Sequence, residues 1–194
     1  MTDKNVSIMN IGSMGYLPQV FKKIENEKKL NIVYLGGSIT MGCNATKTEL
    51  RYVDRSAKWW QTNFPDAEIS YFNAGIGATT SQFGVARVQE HVLDKQPDLV
   101  FVEFSVNDSS SPLFMETYES LVRRLLKAES VKAVVLINNL FYDTGTNAQG
   151  IHNAIGLHYD LPIVSVRNYI FPEIQLGNVC LADYTADMLH PTDL

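Results

Sequence analysis

Residues 31–40 read Asn-Ile-Val-Tyr-Leu-Gly-Gly-Ser-Ile-Thr, a short apolar run that ends in two glycines and a serine. A brief run of apolar, β-branched and aromatic residues bounded by glycine is typical of a buried parallel strand. Two consecutive glycines permit a tight strand-to-helix turn, which would present Ser38 at the carboxyl edge of a sheet with free backbone amides nearby. This stretch therefore predicts an α/β fold whose first turn carries a hydroxyl.

Four similar apolar runs follow along the chain, and segments with helical spacing separate them. Strands that alternate with helices in this way indicate parallel strands joined by crossover helices. The five predicted strands cover residues 31–35, 68–73, 99–104, 133–138 and 163–166. The sequence thus predicts a three-layer α/β/α sandwich with a five-stranded, mostly parallel sheet in the flavodoxin-like order.

Apolar residues at steps of three and four predict the helices that cover this sheet. These segments are 19–28, 50–64, 118–125 and 147–159. Thr79, Thr80 or Ser81 can cap another helix that runs to about Lys95, ahead of Pro97.

Length and composition limit the class of protein. The 194 residues, of which 45% are hydrophobic, fit one domain over residues 1–194. The net charge of -5 without a basic run argues against nucleic acid and favours a small-molecule partner. The start of the chain lacks the apolar core of a secretory signal, and no stretch approaches the roughly 18 apolar residues of a membrane span, so we expect a cytoplasmic protein without membrane contact. Oligomeric state stays open.

Two further loops at the expected carboxyl edge carry polar groups. Residues 73–81 hold Gly75 and Gly77 at the entry to a helix, where backbone amides can face a negative oxygen. Residues 105–108 follow the third strand, and Asn107 offers an amide donor there. Asp108 is interpreted as a turn or helix cap.

The end of the chain supplies a base. Asp187 stands three residues before His190, so a single turn lets the carboxylate orient the imidazole. A hydroxyl, amide donors and an Asp/His pair on loops of one sheet edge specify acyl transfer to water. The rival interpretation of residues 37–44 as a phosphate loop lacks the required Lys and Ser or Thr, because Cys43 and Asn44 occupy those places.

The order of these motifs resembles the SGNH hydrolases, also called GDSL-type esterases and lipases. Residues 36–40, 73–81, 105–108 and 187–190 correspond to the four blocks of that family. The resemblance implies a Ser38 nucleophile, a His190 general base and Asp187 as its orienting partner. It also implies an oxyanion hole formed by the Ser38 amide, Gly77 and Asn107, and no cofactor or metal.

The chain departs from the family pattern in three places: Gly37 replaces an Asp, Ser105 replaces a Gly, and the third departure is at the end of the chain. Separately, the register of the second block leaves Gly77 or Ala78 as the amide donor. The family generally continues with another helix after His-Pro, so a chain that stops at Leu194 is expected to lack its final helix.

The resulting expectation is a serine esterase for short-chain, above all acetyl, esters of carbohydrates, since the first two blocks look like those of carbohydrate-acting members. A lysophospholipase- or thioesterase-type acyl hydrolase and a catalytically weak binding module of the same fold stay open as alternatives. His91, His152 and His158 lack the spacing of metal ligands. Glu103, inside a central strand, needs a partner, either near the site or at Arg87.

Overall fold

The computed structural model describes residues 3–194, which form a mixed β-sheet with helices on both faces. The sheet has six strands, which are β1 (Ile8–Asn10), β2 (Lys29–Gly36), β3 (Glu68–Gly75), β4 (Leu99–Glu103), β5 (Ala133–Asn138) and β6 (Ile163–Ser165). Their order in the sheet is β1-β6-β5-β4-β2-β3. Strands β2 to β6 are parallel and follow the predicted flavodoxin-like order, which confirms the three-layer fold class.

The prediction of five strands is wrong, because β1 adds a sixth at the sheet edge. Its three residues pair antiparallel with β6, and the register joins Ile8 to Val164 and Asn10 to Ile163. Asn10 also donates from Nδ2 to the carbonyl of Leu161 at 3.0 Å. A strand of three residues is too short to show an alternation of apolar and polar side chains in the sequence. It is recognised only by its pairing with the distant β6.

The α-helices are α1 (Leu17–Glu27), α2 (Ser38–Met41), α3 (Tyr52–Asn63), α4 (Ser81–His91), α5 (Pro112–Leu126), α6 (Gln149–His158), α7 (Val166–Gln175) and α8 (Leu181–Tyr184). Helix α4 ends earlier than the expected Lys95, since Val92 leaves helical geometry and a 3₁₀ turn covers Leu93–Lys95. Helix α7 begins at Val166, which the sequence placed in a strand.

Strands β2, β4 and β5 are buried on both faces, which explains why they read as continuous apolar runs. In β2, Val33 and Leu35 belong to the core cluster beneath α4, α5 and α6, whereas Ile32 and Tyr34 belong to the cluster beneath α1 and α3. Because β2 to β5 are parallel and adjacent, their carboxyl ends meet at one edge of the sheet. The loops that leave this edge build the site.

Candidate active site

Ser38 is the first residue of α2 and stands directly after the end of β2. Its side chain lies in a tight turn, and the residue is only 7% exposed. Gly36 must lack a side chain, because an added Cβ would collide with the Thr40 side chain and lie 2.7 Å from the Glu103 carbonyl oxygen. Close packing of the β2–α2 turn against β4 therefore fixes where the Ser38 hydroxyl lies.

The structure brings Ser38, His190 and Asp187 together, although 152 residues separate the serine from the histidine. His190 Nε2 lies 2.7 Å from Ser38 Oγ, and His190 Nδ1 lies 2.7 Å from Asp187 Oδ2. When Nδ1 donates its proton to the carboxylate, Nε2 is free to accept the proton of the hydroxyl. The three side chains thus form a continuous chain of hydrogen bonds that suits nucleophilic catalysis.

The turn that carries the imidazole is organised by Asp187. Its Oδ1 accepts hydrogen bonds from the backbone amides of Leu189, at 3.1 Å, and His190, at 2.8 Å. Met188 between them adopts a left-handed backbone with φ of 65°. Partial burial raises the pKa of Asp187, but the hydrogen bonds from the His190 side chain and from the two amides outweigh burial and hold the pKa well below its usual range. Asp187 is consequently an anion placed to orient the ring.

The loop between β3 and α4, within residues 73–81, lies beside Ser38 and is called the second loop. A Cβ added at Gly77 would lie 3.9 Å from Ser38 Cβ, so the Gly77 backbone is directly adjacent to the hydroxyl-bearing residue. Ala78 follows with a left-handed backbone, φ 56°. The predicted oxyanion loop therefore lies where a carbonyl oxygen bound beside Ser38 could meet a backbone amide.

Asn107 packs against the β2–α2 turn that carries Ser38, the predicted nucleophile turn. This contact explains why residue 37 departs from the family pattern. A Cβ added at Gly37 would collide with Asn107 Oδ1, so Asn107 occupies the space that a side chain at Gly37 would need. The Asn107 amide itself lies in a turn, with its backbone N–H donated to the Phe104 carbonyl at 3.0 Å. Glycine at position 37 thus permits the close approach of the predicted oxyanion donor.

The departure at Ser105 also has a structural role. The Asn139 backbone amide donates to Ser105 Oγ at 2.7 Å, and Ser105 Oγ lies 3.2 Å from the Asn139 carbonyl oxygen, to which it donates. The Ala148 amide donates to the Ser105 carbonyl at 2.7 Å. A glycine would lack this hydroxyl, so the serine fastens the Asn107 loop to the end of β5.

Glu103 lies near the site and not at Arg87, which settles the choice left open by the sequence. Its side chain is fully buried at the end of β4, and Thr40 Oγ1 donates to Glu103 Oε2 at 3.2 Å. Burial raises the pKa of Glu103 to about 7. A carboxyl in the middle of an apolar run was the sequence signal, but its contact with α2 depends on the register of β2 with β4.

Asp108 and His152 form a second, fully buried Asp/His pair that the sequence analysis did not connect. His152 Nε2 lies 3.1 Å from Asp108 Oδ2, and the Tyr118 ring stacks on the imidazole with centroids 3.6 Å apart. Asp108 Oδ1 accepts a hydrogen bond at 2.9 Å from the backbone amide of Ser81, the first residue of α4. Asp108 therefore caps a helix, as predicted. Burial lowers the pKa of His152. This pair links the third loop to the second.

Within residues 3–194, no three His, Cys, Asp or Glu side chains gather in a way that could hold a metal ion. Over the same residues, every helix is too short or too polar to cross a membrane.

The fold and the site together define a class: a three-layer α/β/α protein with a hydrogen-bonded Ser–His–Asp arrangement at the carboxyl edge of its sheet. The family model described as "GDSL-like Lipase/Acylhydrolase family" matches residues 34–194. The chain therefore belongs to the GDSL-like lipase/acylhydrolase family. A comparison with curated proteins gives no match.

Solved structures agree with this membership. A two-domain esterase (CEX) active on acetylated mannans is 46% identical with a TM-score of 0.97, and the match covers 100% of this chain and 52% of that chain. A crystal of the same description, co-crystallized with mannopentaose, matches equally well. The chain thus spans about half the length of this esterase. A catalytic mutant of Axe2, an acetylxylan esterase from Geobacillus stearothermophilus, is 18% identical with a TM-score of 0.69. The match covers 84% of this chain and 87% of that chain, and it shows that the two proteins share a fold.

Proposed function

We propose that this chain is a serine esterase that removes short acyl groups, above all acetyl, from carbohydrate esters. The observation that carries the proposal is the pair of 2.7 Å contacts that join Ser38 Oγ to His190 Nε2 and His190 Nδ1 to Asp187 Oδ2. A hydroxyl becomes a useful nucleophile when a base takes its proton, and an imidazole serves as that base when a carboxylate fixes its tautomer.

In the proposed reaction, Ser38 Oγ attacks the ester carbonyl carbon while its proton passes to His190 Nε2. Asp187 stabilises the imidazolium, which then protonates the leaving sugar alcohol. Water, activated by the neutral His190, attacks the acyl-enzyme and releases the acid. The amides of Ser38 and Gly77 and the side chain of Asn107 are proposed to donate to the oxyanion, where one such donor supplies about 3 kcal/mol of transition-state stabilisation.

The acetylated carbohydrate is proposed from the solved relative that is described as active on acetylated mannans. That relative shares 46% identity over the whole of this chain.

An apolar cavity favours a second candidate, hydrolysis of longer acyl esters. The cavity has a volume of about 390 Å³ and is lined in part by Ile39 and Pro191, the chain neighbours of Ser38 and His190. Strand residues Phe101, Val135 and Ile137 form its apolar floor. A pocket of this size can accept a medium-length acyl chain. Comparing kcat/KM for acetyl and octanoyl p-nitrophenyl esters decides between the two, since an octanoyl preference would overturn the acetyl proposal.

The activity itself is tested with Ser38→Ala and His190→Ala on p-nitrophenyl acetate and on acetylated mannan. Each variant is expected to lose hydrolysis to the background rate, because each removes one end of the proton-transfer contact. Ser110→Ala, an exposed serine on the loop after β4, is the matched control and should retain wild-type turnover. Equal turnover in wild type and Ser38→Ala would contradict the proposed function.

A further inference from the structure

Arg87 on α4 joins the two loops that flank the predicted oxyanion site. Its guanidinium donates from Nη1 to the Ala74 carbonyl at 2.7 Å and from Nη2 to the Gly36 carbonyl at 3.1 Å. Gly36 precedes Ser38 by two residues, and Ala74 precedes Gly77 by three. One side chain therefore holds the backbone that leads into the nucleophile turn and the backbone that leads into the second loop.

The Gly36 carbonyl is a shared acceptor at this junction. It also accepts from the Ile76 amide at 3.1 Å, so the residue before Gly77 is bonded to the same oxygen as Arg87. The parallel pairing of β2 with β3 ends at Gly36 and Gly75. Beyond that pair the ladder no longer fixes the relative position of the two loops. The planar fork of Arg87 supplies two further bonds at this point.

The electrostatics of Arg87 argue that its role is more than general stabilisation. The residue is 6% exposed, and no carboxylate within residues 3–194 forms a salt bridge with it. Burial lowers the pKa of Arg87 to about 10. The guanidinium also lies 3.2 Å from His91 Nδ1, measured from Nη1, and 5.7 Å from the centroid of the Phe83 ring. A buried cation without a counter-charge costs stability, and neutral carbonyl acceptors offset only part of that cost.

We propose that Arg87 is a positioning residue that keeps the nucleophile turn and the Gly77 loop in one fixed register for catalysis. It acts through the Gly36 and Ala74 carbonyls and contacts no reacting atom. The inference rests on the proposed function, because a register between these loops matters for turnover only if Ser38 attacks and the Gly77 loop receives the oxyanion.

The test compares Arg87→Ala and Arg87→Lys with Val88→Ala on p-nitrophenyl acetate. Val88 is the neighbouring buried residue of α4 in the core cluster, so its truncation destabilises the same helix without removing a hydrogen bond to the Gly36 or Ala74 carbonyl. A loop displaced by about 1 Å can cost about 10² in rate. We expect kcat of Arg87→Ala to fall about 10- to 100-fold with KM within about 2-fold, because the bonds matter in the transition state. Arg87→Lys should lose less kcat than Arg87→Ala, since its ammonium can still donate to one of the two carbonyls, but should stay below wild type because it lacks the planar fork.

Two readouts separate positioning from loss of fold. Guanidinium chloride at millimolar concentration, far below denaturing levels, should restore part of the Arg87→Ala turnover by occupying the vacated space, and it should not raise the turnover of Val88→Ala. Amide hydrogen exchange over residues 74–80 should accelerate in Arg87→Ala and stay at the wild-type rate in Val88→Ala.

The outcomes distinguish this inference from the proposed function. Wild-type kcat in a folded Arg87→Ala, or an equal loss of kcat in Val88→Ala without guanidinium rescue, would overturn the positioning role while leaving the esterase intact. Absence of hydrolysis in the wild type would instead reject the proposed function. In that case exchange over residues 74–80 still decides whether Arg87 holds the loops, and unchanged exchange would reject it.

Discussion

Replacing Glu103 by Gln should change the pH dependence of stability in a defined direction. The carboxyl is fully buried beneath the nucleophile turn, and burial raises its pKa from 4.5 to about 7. In the unfolded chain the group ionises near 4.5, whereas the native protein retains the proton until about pH 7. Between these values the native state binds more protons than the unfolded state, so the free energy of unfolding falls as pH rises.

The size of the effect follows from the separation of the two pKa values. A gap from 4.5 to about 7 corresponds to about 3 kcal/mol of stability that wild type holds at low pH and loses by pH 8. Glutamine keeps an acceptor for Thr40 Oγ1 and does not titrate. Glu103→Gln should therefore match the wild type at pH 5 and exceed its free energy of unfolding by about 3 kcal/mol at pH 8.

Urea denaturation of both proteins from pH 5 to pH 8 measures this difference. Glu25→Gln, on the exposed face of α1, is the matched control because it removes a carboxylate that lies in solvent. Its difference from wild type should stay constant across the range. A Glu103→Gln difference that is equally constant, or one that grows toward acid pH, would refute the argument from burial.

Two further predictions concern the packing around the site. Gly37→Ala should displace Asn107, because the added Cβ collides with it, and should lower kcat on p-nitrophenyl acetate about 10-fold or more. Gly150→Ala is the control and should leave kcat unchanged, since nothing lies within 4 Å of the Cβ added there. Wild-type kcat in Gly37→Ala would show that Asn107 can move without cost. Because burial depresses the pKa of His152 below 6.5, the unfolded state takes up a proton first, and the contribution of this histidine to stability should fall as pH drops through 6.5. The urea midpoint at pH 5, relative to that at pH 7, should therefore be higher in His152→Gln than in wild type, and an unchanged difference between the two pH values would contradict this account.

The sequence predicted those parts of the fold that depend on residues close together in the chain. The runs that became β2, β4 and β5 are largely apolar on both faces, and the glycines at 36 and 37 allow the turn that follows β2. The Asp187/His190 turn was equally local, since three residues separate the two side chains. Strand β1 was missed because its three residues acquire their structure only from pairing with β6.

The contacts that escaped prediction join residues far apart in the chain. Asp108 meets His152 across 44 residues, and Arg87 reaches the Gly36 carbonyl across 51. Each depends on which strands are neighbours and on their exact register, and neither quantity can be obtained from hydrophobic periodicity. The residues proposed to carry chemistry were therefore visible in the sequence, while the long-range contacts of Arg87, Asp108 and His152 were not.

Glu103 and Arg87 together indicate why this edge of the sheet retains buried charge. Both are buried, they carry opposite charges when ionised, and both bond to the backbone or side chains around the β2–α2 turn, yet no salt bridge joins them within residues 3–194. Pairing them would offset part of the desolvation cost of each. It would also remove the bonds that Arg87 donates to Gly36 and Ala74 and that Glu103 accepts from Thr40. Both groups bond instead to segments around Ser38, so the desolvation cost of each is offset by bonds that hold the β2–α2 turn and the loop after β3 in place.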